Sequence, residues 1–271
     1  MNPSLLVAAK RLLGGHSYHV IESFPAFAPN SGGSWRLRAS LASLGARQTF
    51  LFMLDLLSAT GTKIEEAVPI SMLADTEEKK DAALKLKSLF EHYGSDKPNH
   101  DYHLLYGAIL ATRECAALLE IGLGTTDVRF VSHMHGLGRP GSSLRAFRDF
   151  LPDARIYGAD IDRSVLFEED RIATFFVDQT DPSSFSALAS CMPTEFDLII
   201  DDGLHAPNAN LATLTFALGQ LKVGGCLVIE DISAHALPIW QVVGAALLPA
   251  QYSAGVVAAS DAFLFVVHRH A

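Results

Sequence analysis

Leu118-Leu119-Glu120-Ile121-Gly122-Leu123-Gly124 is the stretch that decides the fold. An apolar run of strand length ends in an acid and a glycine-rich turn. Glycines there permit unusual φ values and let backbone approach a ligand closely. Glu120 stands just before the turn, where it would hold the ammonium of a cationic aminoacyl ligand. A dinucleotide fingerprint carries a third glycine, but here the run continues Thr125-Thr126-Asp127.

Downstream, strand-like and helical segments alternate. Arg155–Ala159 ends in Asp160-Ile161-Asp162, and Ile172–Val177 ends in Asp178-Gln179. Asp197–Ile200 ends in Asp201-Asp202-Gly203, and Cys226–Ile229 ends in Glu230-Asp231. Helical segments are expected at Ser142–Phe150, Phe185–Ser190 and Pro207–Leu221. This alternation predicts a Rossmann-like, doubly wound, mostly parallel seven-stranded α/β sheet. Ligands of such sheets bind outside the carboxyl ends of the strands, where every acid named here falls. Asp160 is placed to accept hydrogen bonds from a ribose diol, and Asp178 to meet the exocyclic amine of adenine. Gly255–Val267 reads as two strands turning at Ser260-Asp261 to form an antiparallel sheet edge.

Asp201, Asp202, Glu230 and Asp231 would share one rim if their strands are neighbours. Four carboxylates in one cleft repel unless a cation neutralises them. Oxygen ligands suit a hard divalent ion such as Mg²⁺. Such an ion can bind an acceptor hydroxyl and lower its pKa. His205, three residues beyond Asp202, then serves as general base. Asp201 either caps the following helix or faces the cofactor.

Glu-x-Gly-x-Gly, an acid closing the second strand and Asp-Gln closing the third are similar to class I S-adenosylmethionine-dependent methyltransferases. Asp202-Gly203-Leu204-His205, followed by Gly224-Gly225 and Ile229-Glu230-Asp231, resembles the metal-dependent macrolide-sugar O-methyltransferases of the mycinamicin type. Gly94-Ser95-Asp96-Lys97 and His100-Asp101-Tyr102 extend the likeness, which runs from about Tyr93 to Asp231. The resemblance implies that Glu120, Gly122 and Gly124 line the methionine side of S-adenosylmethionine, Asp160 its ribose and Asp178 its adenine. It further implies Mg²⁺ on Asp202, Glu230 and Asp231, and catalysis by His205 with Asp202. Tyr102 is expected close to the cofactor carboxylate, and Asp201 on the cofactor side. Leu204 departs from the small serine usual in that family. The Glu120-to-Asp160 gap is about twice the usual roughly 20 residues. The extra length, Asp127–Ser142, holds His133 and His135 and reads as a loop folded over the cofactor.

Residues 1–92 match no known pattern and are expected to form a mainly helical extension, a lid or an oligomer contact, before a core of residues 93–271. Residues 4–13 read as a short helix, 18–38 as strand and loop, and 36–60 as one or two helices broken at Gly45. A helix from Asp75 to Tyr93 would be capped by Asp75 or Thr76. The 271 residues are 49% hydrophobic, enough for a substantial core, and carry a formal net charge of -9. That balance disfavours nucleic acid and anionic membrane surfaces as partners. Three scattered cysteines, an N-terminus unlike a signal peptide, and apolar runs shorter than the roughly 20 residues of a membrane span predict a cytoplasmic protein. The partner expected is a small-molecule hydroxyl acceptor, with a homo-oligomer left open. Two alternatives stay open: a metal enzyme of hydroxylase-like chemistry on the same fold, and a non-catalytic nucleotide-binding module. A nicotinamide-binding protein is disfavoured by the missing glycine.

Overall fold

The computed structural model describes residues 15–30, 33–134, 138–192 and 195–270. The chain divides into two compact units, Met1–Ile64 and Glu65–Ala271. The expected boundary at residue 92 therefore moves back, because the helix Glu77–Tyr93 packs inside the second unit.

The first unit is helical. Residues 18–23, expected as strand or loop, are helical instead. β-Branched Val20 and Ile21 are overruled by local bonding and packing. The Phe24 amide donates to the Val20 carbonyl (2.9 Å), and Tyr18 meets Trp35 edge-on at 5.4 Å. Helix α1 (Trp35–Ala59) runs through Gly45 without a break. One glycine inside a helix this long costs only about 1 kcal/mol. The helix expected at 4–13 lies outside the described residues.

The second unit is built on a nine-stranded sheet. Its strands are β1 (Val68–Pro69), β2 (Ala117–Ile121), β3 (Arg155–Asp160), β4 (Glu168–Glu169) and β5 (Ile172–Phe176), followed by β6 (Phe196–Asp201), β7 (Leu221–Ile232), β8 (Tyr252–Ala258) and β9 (Phe263–Arg269). The order across the sheet is β1-β8-β9-β7-β6-β2-β3-β5-β4. The seven strands expected are its interior, and the two-residue β1 and β4 extend it at either edge. β2, β3, β5, β6 and β7 run parallel, and β9 is antiparallel to both β7 and β8. The terminal hairpin is thus present, but β9 inserts inside the sheet, and β8 carries β1 on its outer side.

Side chains of these strands alternate between two buried faces. Leu118, Ile156, Leu198, Ile200 and Val228 face one core, which is shared with helices α2 (Glu77–Tyr93), α3 (Tyr102–Leu110) and α4 (Ser142–Phe150). Leu119, Ile121, Ile199, Leu227 and Ile229 face the other, against α5 (Pro182–Cys191), α6 (Pro207–Gln220) and α7 (Leu237–Val242). Thr76 caps α2 by accepting from the Lys79 amide (3.3 Å), and Gly94 ends it at φ 78°. α2 and α3 cross where Gly107 lies against Ala83, and a Cβ on Gly107 would come within 2.6 Å of the Ala83 backbone. That contact sets the position of α3, whose tyrosines enter the site described below. Cys115 is half-buried, Cys226 buried and Cys191 exposed; all three are free thiols. Burial pushes the Cys115 and Cys226 thiols up to about 12. No helix among the described residues is long and apolar enough to cross a membrane.

Phe147 is fully buried between Phe90 (5.2 Å) and Tyr106 (5.3 Å), edge-on to both. Phe147→Ala is expected to cost about 3–5 kcal/mol in urea unfolding. On β9, burial and then the Arg113 guanidinium push the His268 imidazole down to about 4. His268 takes up its proton more readily unfolded, so its share of the stability is complete above its ordinary value of 6.5. That share is lost progressively as the pH falls from there towards 4. His268→Gln should flatten the pH dependence of the urea midpoint across this interval.

Candidate active site

The turn after β2 is shaped first by the protein itself. Gly122 sits at φ 95°, and a Cβ there would lie 2.0 Å from the Asp202 carbonyl. The loops that follow β2 and β6 therefore touch backbone to backbone, and the Asp202 amide donates to the Ile121 carbonyl (2.8 Å). Gly124, at φ 77°, faces the Met134 thioether. The inserted loop folds back on this turn: the Met134 amide donates to the Thr125 carbonyl (2.7 Å), and the Gly141 amide to that of Leu123 (2.9 Å).

Two cavities open at this rim. The first, about 260 Å³, is lined by Gly122, Gly124, Asp160, Asp178 and Gln179, with Phe130 from the inserted loop. Asp160 accepts from the Leu123 amide (2.7 Å) and the Asp162 amide (2.8 Å). Burial raises its carboxyl above the ordinary value, although these donors oppose the shift. Asp178 accepts from the amide (2.8 Å) and hydroxyl (2.7 Å) of Thr180. The second cavity, about 670 Å³, is lined by Asp96, His100, His133, Arg139, His205 and Asp231, among others. Gly122, Gly124 and Asp202 border both. His135 lies outside the described residues.

Beneath the rim lies a buried ion cluster. Lys97 is 2% exposed, and its ammonium lies 3.1 Å from Glu120, 2.8 Å from Asp202 and 2.7 Å from Glu230. Burial opposes the charge, but Asp202, Glu230 and Glu120 outweigh it and hold the ammonium well above the ordinary lysine value. The Ser143 hydroxyl donates to the other Glu120 oxygen (2.5 Å). Burial, and then the Asp202 charge, push Glu230 well above the ordinary carboxyl value. Two tyrosines one turn apart on α3 complete the support: Tyr106 donates to Glu230 and Tyr102 to Asp231.

Above this layer, Asp202, His205 and Asp231 each offer one ligand atom, and the three atoms lie within 4.8 Å of one another. His205 Nε2 is 3.9 Å from Asp202 Oδ1 and 3.7 Å from Asp231 Oδ2. His205 (φ 54°) and Asp231 (φ 55°) are both in the left-handed region. Non-glycine residues hold such backbone only where their surroundings impose it, often at functional sites. The set can hold a hard divalent cation through the two aspartates, and it can accept a proton at the imidazole.

The sequence-predicted residues thus divide. Gly122, Gly124, Asp160 and Asp178 meet at the first cavity, and Asp202, His205 and Asp231 at the second. Glu230 does not join Asp202 and Asp231 in the expected ligand trio, because Lys97 and Tyr106 engage both its oxygens. Glu120 and Tyr102 line neither cavity; Lys97 and Asp231 occupy them. Asp201 neither caps α6 nor reaches a cavity. Its fully buried carboxylate accepts from Gln179 (2.8 Å) and Asn210 (3.0 Å), which lock the strand end. Lys97, Ser143 and Gln179 were missed as site residues. For Lys97 the signal was the excess of acids itself, which demanded a cation from somewhere.

No family model matches the chain. It is 30% identical over 159 residues to the 8-demethyl-8-alpha-L-rhamnosyl tetracenomycin-C 2'-O-methyltransferase of Streptomyces olivaceus, covering 58% of this chain and 40% of that protein. It is 38% identical over 119 residues to the demethylmacrocin O-methyltransferase of Streptomyces fradiae, covering 42% of this chain and 27% of that one. Against the mycinamicin VI 2''-O-methyltransferase of Micromonospora griseorubida, identity is 37% over 119 residues, again 42% of this chain and 27% of that protein. The matched part spans 40% or less of these curated relatives. Among solved structures, a methyltransferase from the mycinamycin biosynthetic pathway in complex with Mg and SAH superposes with TM-score 0.55 at 24% identity, over 69% of this chain and 55% of that one. The chain has the fold of class I S-adenosylmethionine-dependent methyltransferases, and part of its sequence is similar to the sugar O-methyltransferases named above.

Proposed function

We propose that the protein transfers a methyl group from S-adenosylmethionine to a hydroxyl of a sugar-bearing small molecule. The observation that carries this reading is the placement of two cavities across one glycine turn. One cavity is bordered by Asp160 and Asp178, and the other by the Asp202–His205–Asp231 set. Asp160 would hold the ribose and Asp178 the adenine, while Gly122 and Gly124 leave the aminoacyl end close to backbone. Bound S-adenosylmethionine supplies a sulfonium methyl that is already a good electrophile. A divalent cation such as Mg²⁺, held by Asp202 and Asp231, would supply charge that favours the ionised acceptor hydroxyl. What remains for the chain is to orient the acceptor oxygen and take its proton at His205 Nε2. Tyr102 fixes the Asp231 carboxylate, and Lys97 fixes that of Asp202. The relatives named above act on rhamnosyl tetracenomycin-C, demethylmacrocin and mycinamicin VI by their names, which supports a glycosylated acceptor.

The set contains one histidine and two carboxylates. The two-His-one-carboxylate triad of non-haem iron oxygenases is absent among the described residues, which favours methyl transfer over hydroxylase-like chemistry.

Calorimetry with S-adenosylhomocysteine should show binding in wild type with or without Mg²⁺. Asp231→Asn should keep that binding and lose the Mg²⁺ dependence of turnover, and absence of binding in wild type would sink the reading. His205→Asn, a residue that tolerates left-handed backbone, should slow turnover on a panel of glycosides about 10²–10⁴-fold without weakening S-adenosylhomocysteine.

A further inference from the structure

Lys97 takes no part in the reading above beyond steadying Asp202, yet its surroundings are unlike those of an ordinary ion pair. Its ammonium is enclosed by carboxylates from the ends of three adjacent strands, β2, β6 and β7. Glu120 and Glu230 are 0% and 1% exposed. The inward oxygen of Glu120 lies 3.1 Å from the ammonium and has no well-aligned hydrogen bond among the described residues. One positive charge therefore serves three acids, two of them fully buried. Burying charges without compensation is costly, so the pocket depends on this cation.

The oxygens are divided between two layers. Asp202 turns Oδ2 inward to Lys97, and its Oδ1 is the oxygen nearest His205. Glu230 gives Oε2 to Lys97 and Oε1 to Tyr106, leaving neither directed at the rim. Asp231 accepts from Tyr102 on Oδ1, and its Oδ2 is the oxygen nearest His205. The inner layer is held by side chains, with Glu120 Oε1 left to the ammonium 3.1 Å away, and the outer layer keeps one oxygen of each aspartate.

We propose that Lys97 is a positioning residue, a built-in counter-cation that assembles the acid rim before any metal arrives and limits the hold of the rim on a divalent ion. Two consequences follow from charge alone. Without Lys97 the inner acids are uncompensated, and the folded state comes to depend on an added cation. The same uncompensated charge attracts that cation more strongly. The inference rests on the proposed rim cation for its metal-binding half; the loss of stability in EDTA needs no ligand.

Lys97→Met keeps the bulk of the side chain and removes its charge. Thermal midpoints would be measured for wild type and K97M in EDTA and in millimolar Mn²⁺, with Mn²⁺ affinity followed by electron paramagnetic resonance. The midpoint of K97M should fall in EDTA and recover with Mn²⁺ by more than wild type gains, and its Mn²⁺ affinity should tighten about ten-fold or more. An equal loss in both buffers with unchanged Mn²⁺ affinity would overturn the proposal, as would no loss at all. If K97M does not fold, the pair K97M/E230Q decides, because it removes one anion together with the cation. The proposal expects the pair to fold in EDTA; a pair that does not fold overturns it. Failure of wild type to bind S-adenosylhomocysteine would remove the functional reading and leave the EDTA comparison intact.

Discussion

Crowded negative charge at one end of a parallel sheet is the constraint around which the second unit is organised. Strands β2, β3, β6 and β7 each carry an acid at or within two residues of the carboxyl end, and Glu120, Asp202 and Glu230, at the ends of β2, β6 and β7, converge on one point. A sheet of this kind gathers its strand ends into a ligand crevice, so the crowding comes with the topology. It is relieved in three ways. Asp160 and Asp201 are supplied with hydrogen-bond donors. Glu120, Asp202 and Glu230 share the Lys97 ammonium. Asp202 Oδ1 and Asp231 Oδ2 are left facing the histidine.

The helices on the adjoining face serve the same end. Lys97 lies in the turn that leads into α3, and Tyr102 and Tyr106 follow at helical spacing. Gly107 lets α3 approach α2, and Phe147 on α4 wedges against Tyr106. Packing in the apolar core thus reaches the carboxylates through two rings, those of Tyr102 and Tyr106. Residues that touch no ligand still fix the distance between the acids.

Much of this was legible in the chain. Short apolar runs ending in Gly or Asp mark buried parallel strands, and the ends of β3, β5 and β6 fall within a residue or two of expectation. Ser142–Phe150 is helical over the expected residues. The site was half legible. Acids could be assigned to strand ends because each is local to its strand. Their division into inner and outer layers depends on where one lysine reaches, and that lysine precedes the first acid by more than a strand's length. Asp201 and Asp202 are neighbours in sequence but point to opposite faces, as consecutive strand-end residues do. A pair of acids therefore looked like one feature and is two. Helical residues 18–23 escaped notice because Val20 and Ile21 favour strands until Tyr18 finds Trp35.

The position of Lys97 also bears on how the protein is made. Along the chain the cation comes first, and Glu120, Asp202 and Glu230 follow in that order. A ribosome delivering residues at about 5–20 per second exposes each new acid to a partner already synthesised. β9 comes later still, yet it lies between β7 and β8. The sheet therefore reaches its final order only after β9 has entered between two strands that precede it in the chain.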